Sequence, residues 1–319
     1  MKLGEIYNLF VKRGIDADLR GRKEIEKRLK KTKEAYNKLD KKKKEEFDTE
    51  KMTNPFADTR ILYGDSKKEV KTILAGIDME TPEILLADRL NEKGKKIDLV
   101  LAHHPEGRPY ADLAEVMNIN VDVLNRYGVP VNIAEGVSEA RIGEVSRGVA
   151  PVNHNRPVDA AKILDIPFLC VHTPSDNMVF SFLEKLMAEK KPETVGEVID
   201  VLKEVPEYKE AVKVGAGPRI FAGNSSKKAG KIAATGITGG MSIGPDAYEK
   251  MAQAGIGTVI EMHASEKDKK EAEKNHINIV VAGHISSDSI GMNLLLDEIE
   301  KKGVKVIPVS GLIRVKRFK

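Results

Sequence analysis

Asp98-Leu-Val-Leu-Ala-His-His-Pro105 is the stretch that decides the reading of this chain. Asp98–Ala102 reads as a strand, and two adjacent histidines and a proline stand at its carboxyl end. Successive side chains in a strand point to opposite faces, so His103 and His104 cannot share one direction within it. At a strand terminus two neighbouring metal ions resolve this, each taking one imidazole, as in dinuclear hydrolytic sites.

The same arrangement recurs along the chain. Phe168–Val171 leads into His172, Val259–Met262 into His263, and Ile279–Gly283 into His284. Ligands in open α/β sheets bind beyond the carboxyl ends of strands, so these histidines are placed to converge on one crevice. Two strand ends also carry an acid at the same offset: Asp176 follows His172, and Asp288 follows His284. Imidazole and carboxylate together suit Zn, Mn or Fe. The competing reading of each acid is a helix N-cap, and capping is compatible with ligation because the helix dipole favours a negative group there. His154 and His276 read as structural or exposed.

Around these motifs strands and helices alternate, which predicts an α/β fold with mostly parallel sheets covered by helices. Residues 1–53 read as a charged helical extension that Asn54-Pro55 ends. Residues 54–190 form a first α/β lobe with two metal motifs, and 191–319 a second lobe with the third. Arg60–Tyr63 and Val70–Ile77 around Gly64-Asp65-Ser66 read as a β-hairpin, and Val129–Ile133 and Leu312–Val315 as strands. Thr235–Gly244, rich in glycine between a strand and a helix, is able to cradle an anion but matches no dinucleotide or Walker pattern. Arg141, Arg147 and Arg156 are candidate cations for a phosphate-bearing substrate, against plain surface placement.

Composition excludes several classes. The 53 Lys+Arg against 49 Asp+Glu leave a net charge of only +4, too little to argue for nucleic acid. The Lys41–Lys44 run is flanked by Asp40, Glu45 and Glu46 and reads as a solvated helix face. Cys170 is the one cysteine; it lies in an apolar run, reads as a buried structural thiol, and fits a reducing compartment. The opening residues lack the features of a signal peptide, and no apolar run is long enough for a membrane span. The expectation is a cytoplasmic protein without a membrane partner.

Taken together, Ala75-Gly-Ile-Asp78 with Asp98–Pro105, His172-Thr-Pro-Ser-Asp176, and Ala282-Gly-His-Ile-Ser-Ser-Asp288 resemble the three metal motifs of the Nif-three-like proteins, also called the GTP cyclohydrolase I type 2 family. The resemblance covers residues 54–319. It implies metal ligands at His103, His104, Asp176, His284 and Asp288, with His172 near the site rather than bound directly. It further implies two similar lobes facing one dinuclear centre and a homo-oligomer, often a hexamer. Asp288 stands where that family has glutamate, and the N-terminal extension has no clear counterpart there. The expected function is a metal-dependent hydrolase that holds one or two divalent ions and acts on a small phosphorylated or nucleotide-like substrate, with His172 and His263 as acid–base groups. The alternative is a non-enzymatic metal-binding scaffold that recruits partners through its oligomer and N-terminal helices.

Overall fold

The computed structural model describes residues 1–318. Its strands are β1 (Arg60–Tyr63), β2 (Thr72–Gly76), β3 (Leu99–Ala102), β4 (Phe168–Cys170), β5 (Arg219–Ala222), β6 (Lys231–Ala234), β7 (Ile256–Glu261), β8 (Asn278–Val281) and β9 (Lys305–Pro308). They form a five-stranded sheet, β1-β4-β3-β2-β9, and a four-stranded sheet, β5-β8-β7-β6. Within each sheet the pairs are parallel except for one antiparallel edge, β1 on β4 and β5 on β8. The mixed α/β fold with two mostly parallel sheets is therefore as expected.

In the first sheet the pleat sorts the side chains into two apolar layers. Ile73, Ala75, Leu99, Leu101, Leu169 and Val171 face a core shared with Leu3, Ile6 and Phe10 of helix Leu3–Ala17 and with Leu295 and Ile299 of helix His284–Glu300. Leu74, Val100, Phe168 and Cys170 face Ile84, Ala87, Val158 and Ala161 on the other side. The two halves exchange helices. Helix Thr173–Lys190 follows β4 yet sends Val179, Phe180 and Leu183 into the core of the second sheet. Helix His284–Glu300 follows β8 yet packs on the first.

Several expectations are corrected. Residues 60–77 are not a hairpin: β1 pairs with β4, two strands from β2. The connecting turn is instead occupied by the chain's first residues, with Leu3 and Gly4 donating to the carbonyls of Lys68 and Ser66, and Val70 donating to Met1. Val129–Ile133 is not a strand, because Pro130 opens helix Val131–Val149; its fixed φ suits a helix start. Leu312–Val315 is not a strand either, and β9, counted with the second lobe, pairs with β2 in the first sheet. Residues 1–53 are helical, but their first helix is core rather than appendage, since Leu3, Ile6 and Phe10 are fully buried. Phe10→Ala is expected to cost about 3–5 kcal/mol in urea unfolding; a change below 1 kcal/mol would mark this helix as detachable.

The halves also repeat one another at long range. Arg60-Ile-Leu-Tyr-Gly-Asp-Ser66 and Arg219-Ile-Phe-Ala-Gly-Asn-Ser225 both form the antiparallel edge and its turn. Leu3-Gly-Glu5 and Val195-Gly-Glu197 both start the helix that donates into that turn, from Gly4 to Ser66 and from Gly196 to Ser225. The two copies are too diverged and too far apart to register as a short-period repeat.

Candidate metal centre

Both sheets end in the same cleft. β3 delivers His103 and His104, β4 delivers His172, and β7 and β8 deliver His263 and His284. Helices Thr173–Lys190 and His284–Glu300 begin at two of these ends and carry Asp176 and Asp288 one turn in. Their caps are His172 and Gly283, so neither acid is an N-cap. That removes the competing reading.

Asp288, fully buried, stands at the middle. One of its oxygens lies 3.4 Å from His103 Nε2, which is itself 3.4 Å from Asp176 Oδ1. The other lies 3.5 Å from His104 Nε2 and 3.4 Å from His284 Nε2. Three triads emerge: His103 with Asp176 and Asp288, His104 with His284 and Asp288, and His103 with His104 and His172. His263 stands at the rim, its ring 5.1 Å from that of His284. His154 and His276 lie elsewhere, the first hydrogen-bonded to the Val149 carbonyl and the second in a turn with positive φ.

The other nitrogen of three rings is fixed from behind. His103 Nδ1 donates to the Val171 carbonyl at 3.2 Å, His104 Nδ1 to Asp78 at 2.6 Å, and His172 Nδ1 to Asp58 at 2.9 Å. Asp58 also accepts from the Thr173 hydroxyl and amide. Such backing is how metal-ligating histidines are oriented and made more basic. Asp58 has no motif and is missed by sequence reasoning; only its apolar setting, Phe56-Ala57-Asp58, hints that a charge there needs a partner.

A divalent ion fits this cleft on the chemistry of its donors. His103 Nε2, Asp176 Oδ1 and both oxygens of Asp288 are buried with no hydrogen-bond partner among the described residues. Buried polar atoms are nearly always satisfied, and these four face one another. Donors bound to one ion at about 2.0–2.2 Å stand roughly 3.4 Å apart in a tetrahedral shell. Protonation points the same way. Burial pushes the His103 imidazole down to about 4, leaving it neutral. Burial would raise Asp288, but His103, His104 and His284 hold it well below the usual range. Burial, with Asp288 and Asp58 nearby, pushes Asp176 up to about 8. Burial lowers His104, yet Asp288 and Asp78 override it and carry the ring up to about 10. A cation would satisfy the two buried carboxylates in contact with the same imidazole, and its binding would release protons.

Two further buried groups bear on this cleft. Cys170 is sealed in the sheet and burial pushes its thiol up to about 12, as befits a structural residue. Glu261 ends β7, accepts from the Thr235 and Tyr248 hydroxyls at 2.9 Å each, and is pushed by burial up to about 8. An acid whose folded pKa is raised binds more protons folded than unfolded, so it lowers stability as pH rises from about 4.5 to about 8. Glu261→Gln is expected to flatten the fall in Tm across that window. An unchanged slope in Glu261→Gln would place the titration elsewhere.

A two-lobed α/β protein with a shared, buried His/Asp cleft able to hold a metal ion is the class that fold and site define. Among solved structures the chain resembles a NIF3 superfamily protein from Sphaerobacter thermophilus, 27% identical, with a TM-score of 0.73 over 80% of this chain and 92% of that one. The resemblance to the Nif-three-like proteins thus holds in three dimensions as well as in the motifs. Reduced HcgD from Methanocaldococcus jannaschii shares the fold, with 13% identity and a TM-score of 0.50 over 84% of this chain and 94% of that one. No family model and no curated protein matches the sequence.

Proposed function

We propose that the protein is a divalent-metal-dependent hydrolase of a small phosphorylated or nucleotide-like molecule. The observation that supports this reading is the set of four unpartnered buried donor atoms on His103, Asp176 and Asp288. In it, His103, Asp176 and Asp288 would hold one ion, and His104, His284 and Asp288 the other. Zn, Mn and Fe all suit nitrogen and carboxylate donors. Ions so held would supply Lewis acidity and hydroxide near neutral pH.

The chain's own groups do the rest. Asp58 holds the Nδ1 proton of His172 and so presents Nε2 to the cleft, 3.8 Å from Asp176. His172 can therefore take or return a proton there. His263 at the rim can take a proton from the attacking water and return it to the leaving group as it departs. Burial lowers its pKa below the ordinary value, with His284 adding to the effect, so the ring enters the reaction neutral and is a poor acid until it has accepted a proton.

In this reading the protein works in the cytoplasm as a homo-oligomer. No helix among the described residues is long and apolar enough to cross a membrane.

The test is turnover of a panel of nucleotides, phosphomonoesters and phosphodiesters by metal-loaded protein, before and after chelation. Chelator-sensitive hydrolysis of at least one compound is expected. Inert metal-loaded protein, together with a partner captured on residues 1–53, would instead establish the scaffold reading.

A further inference from the structure

We propose that Arg141, clamped on the glycine-rich loop beside the metal centre, binds the anionic group of the substrate, a phosphate or a carboxylate. This rests on the metal-dependent reading above and deepens it, by separating where the substrate is held from where it reacts.

The loop explains the placement. Gly236, Gly239, Gly240 and Gly244 all have positive φ, which only glycine adopts freely. Two of them are also places of close approach. A Cβ on Gly240 would stand 3.1 Å from His172 Cε1, and one on Gly244 would stand 3.3 Å from both Cγ and Cδ of Arg141. The same short loop therefore touches a histidine of the centre at one end and the arginine stem at the other. Four residues of chain span at most about 14 Å, so the Arg141 stem and His172 are brought to opposite ends of one short loop. Arg141 also sits close enough to His263 for its charge to lower that ring's pKa.

The guanidinium is held but underused. Its Nε is buried without an acceptor, and among the described residues its one hydrogen-bonding acceptor is Glu144, one turn along the same helix at 2.6 Å. Glu144 is 63% exposed, and exposed pairs of this kind contribute little, so an anion from solution displaces it at small cost. The hydrogen bond and charge of Arg141 lower the Glu144 pKa first, and Lys267 and Arg147 add to the effect. The shoulder of the cleft is thus cationic, while its floor carries Asp176, Asp288 and Asp78. A molecule with an anionic end is oriented by that separation, its charge on the shoulder and its remainder over the floor. Arginine suits the task because its planar fork pairs with phosphate or carboxylate through two parallel hydrogen bonds.

The experiment is calorimetric titration of inorganic phosphate, and separately malonate, into the purified metal-loaded protein, with metal content measured on the same samples. Arg141→Gln is expected to weaken anion binding about 10- to 100-fold and to leave metal content and Tm unchanged. Glu144→Gln, which releases the guanidinium, is expected to tighten it several-fold, a gain that damage to the fold would not produce. An effect on phosphate alone assigns a phosphate ester; an effect on malonate alone assigns a carboxylate, and an equal effect on both assigns a subsite that accepts either. Wild-type protein that binds neither anion, or Arg141→Gln that binds both as wild type does, overturns the subsite. Protein that retains the Arg141 effect but takes up no metal would refute the metal reading and leave the subsite standing.

Discussion

Asp288→Asn is expected to abolish the rise in Tm that metal produces in the wild-type protein. Asp288 is the only acid in both of the acid-bearing triads, so removing its charge weakens both positions at once. Loss of a residue that merely orients a ligand costs 10- to 100-fold in metal affinity; loss of a shared ligand is expected to exceed about 100-fold. At a metal concentration about 100 times the wild-type Kd, binding stabilises the folded state by about 2.7 kcal/mol, and the variant should show almost none of it. The metal-free comparison is a separate reading. His103, His104 and His284 hold the Asp288 carboxyl well below the usual range, so its charge stabilises the metal-free fold at neutral pH and Asn at that position is expected to lower metal-free stability. Equal metal-induced shifts in variant and wild type, read by thermal melts with elemental analysis, would remove Asp288 from the site.

The candidate metal centre was far more legible in the sequence than the connections around it. His103, His104, Asp176, His284 and Asp288 were readable because each chemically distinctive residue follows an apolar strand run, and strand ends in such sheets converge. Local pattern could not show which strand neighbours which. Arg60–Tyr63 has every hairpin signal, but pairing is decided by the long-range fit of β1 to β4 and by the first residues of the chain, which occupy the turn. Val129–Ile133 has strand-like β-branched content, and its fate is set by Pro130 and the long helix that follows. Asp58 and Asp78 were silent as partners because an aspartate next to a strand carries no sign of which histidine it will meet. The long-range repeat explains the economy of the cleft: His172 with Asp176 and His284 with Asp288 are the same i,i+4 device used once in each half.

That device works only if the two helices carrying it come very close, and Gly291 is where they do. A Cβ there would lie 2.4 Å from both the carbonyl oxygen and the Oγ of Ser175, the residue before Asp176. Gly291 is itself just under one turn beyond Asp288, so the crossing point is adjacent to both carboxylates. Shortening the serine cannot relieve a clash with its backbone oxygen; the helices must separate. Gly291→Ala is therefore expected to destabilise the protein by about 1–3 kcal/mol through overpacking. It should also weaken metal binding at least about 10-fold, because displacing a positioned group by 1 Å is felt strongly in a site of this kind. Gly136→Ala makes the control: that helical glycine has nothing within 4 Å of its would-be Cβ, so alanine is expected to stabilise by about 0.5–1 kcal/mol. Urea unfolding and metal titration of both variants separate the two effects. If Gly291→Ala lost stability but kept full metal affinity, the crossing would hold the fold alone, and the carboxylates would owe their separation to the strands beneath them.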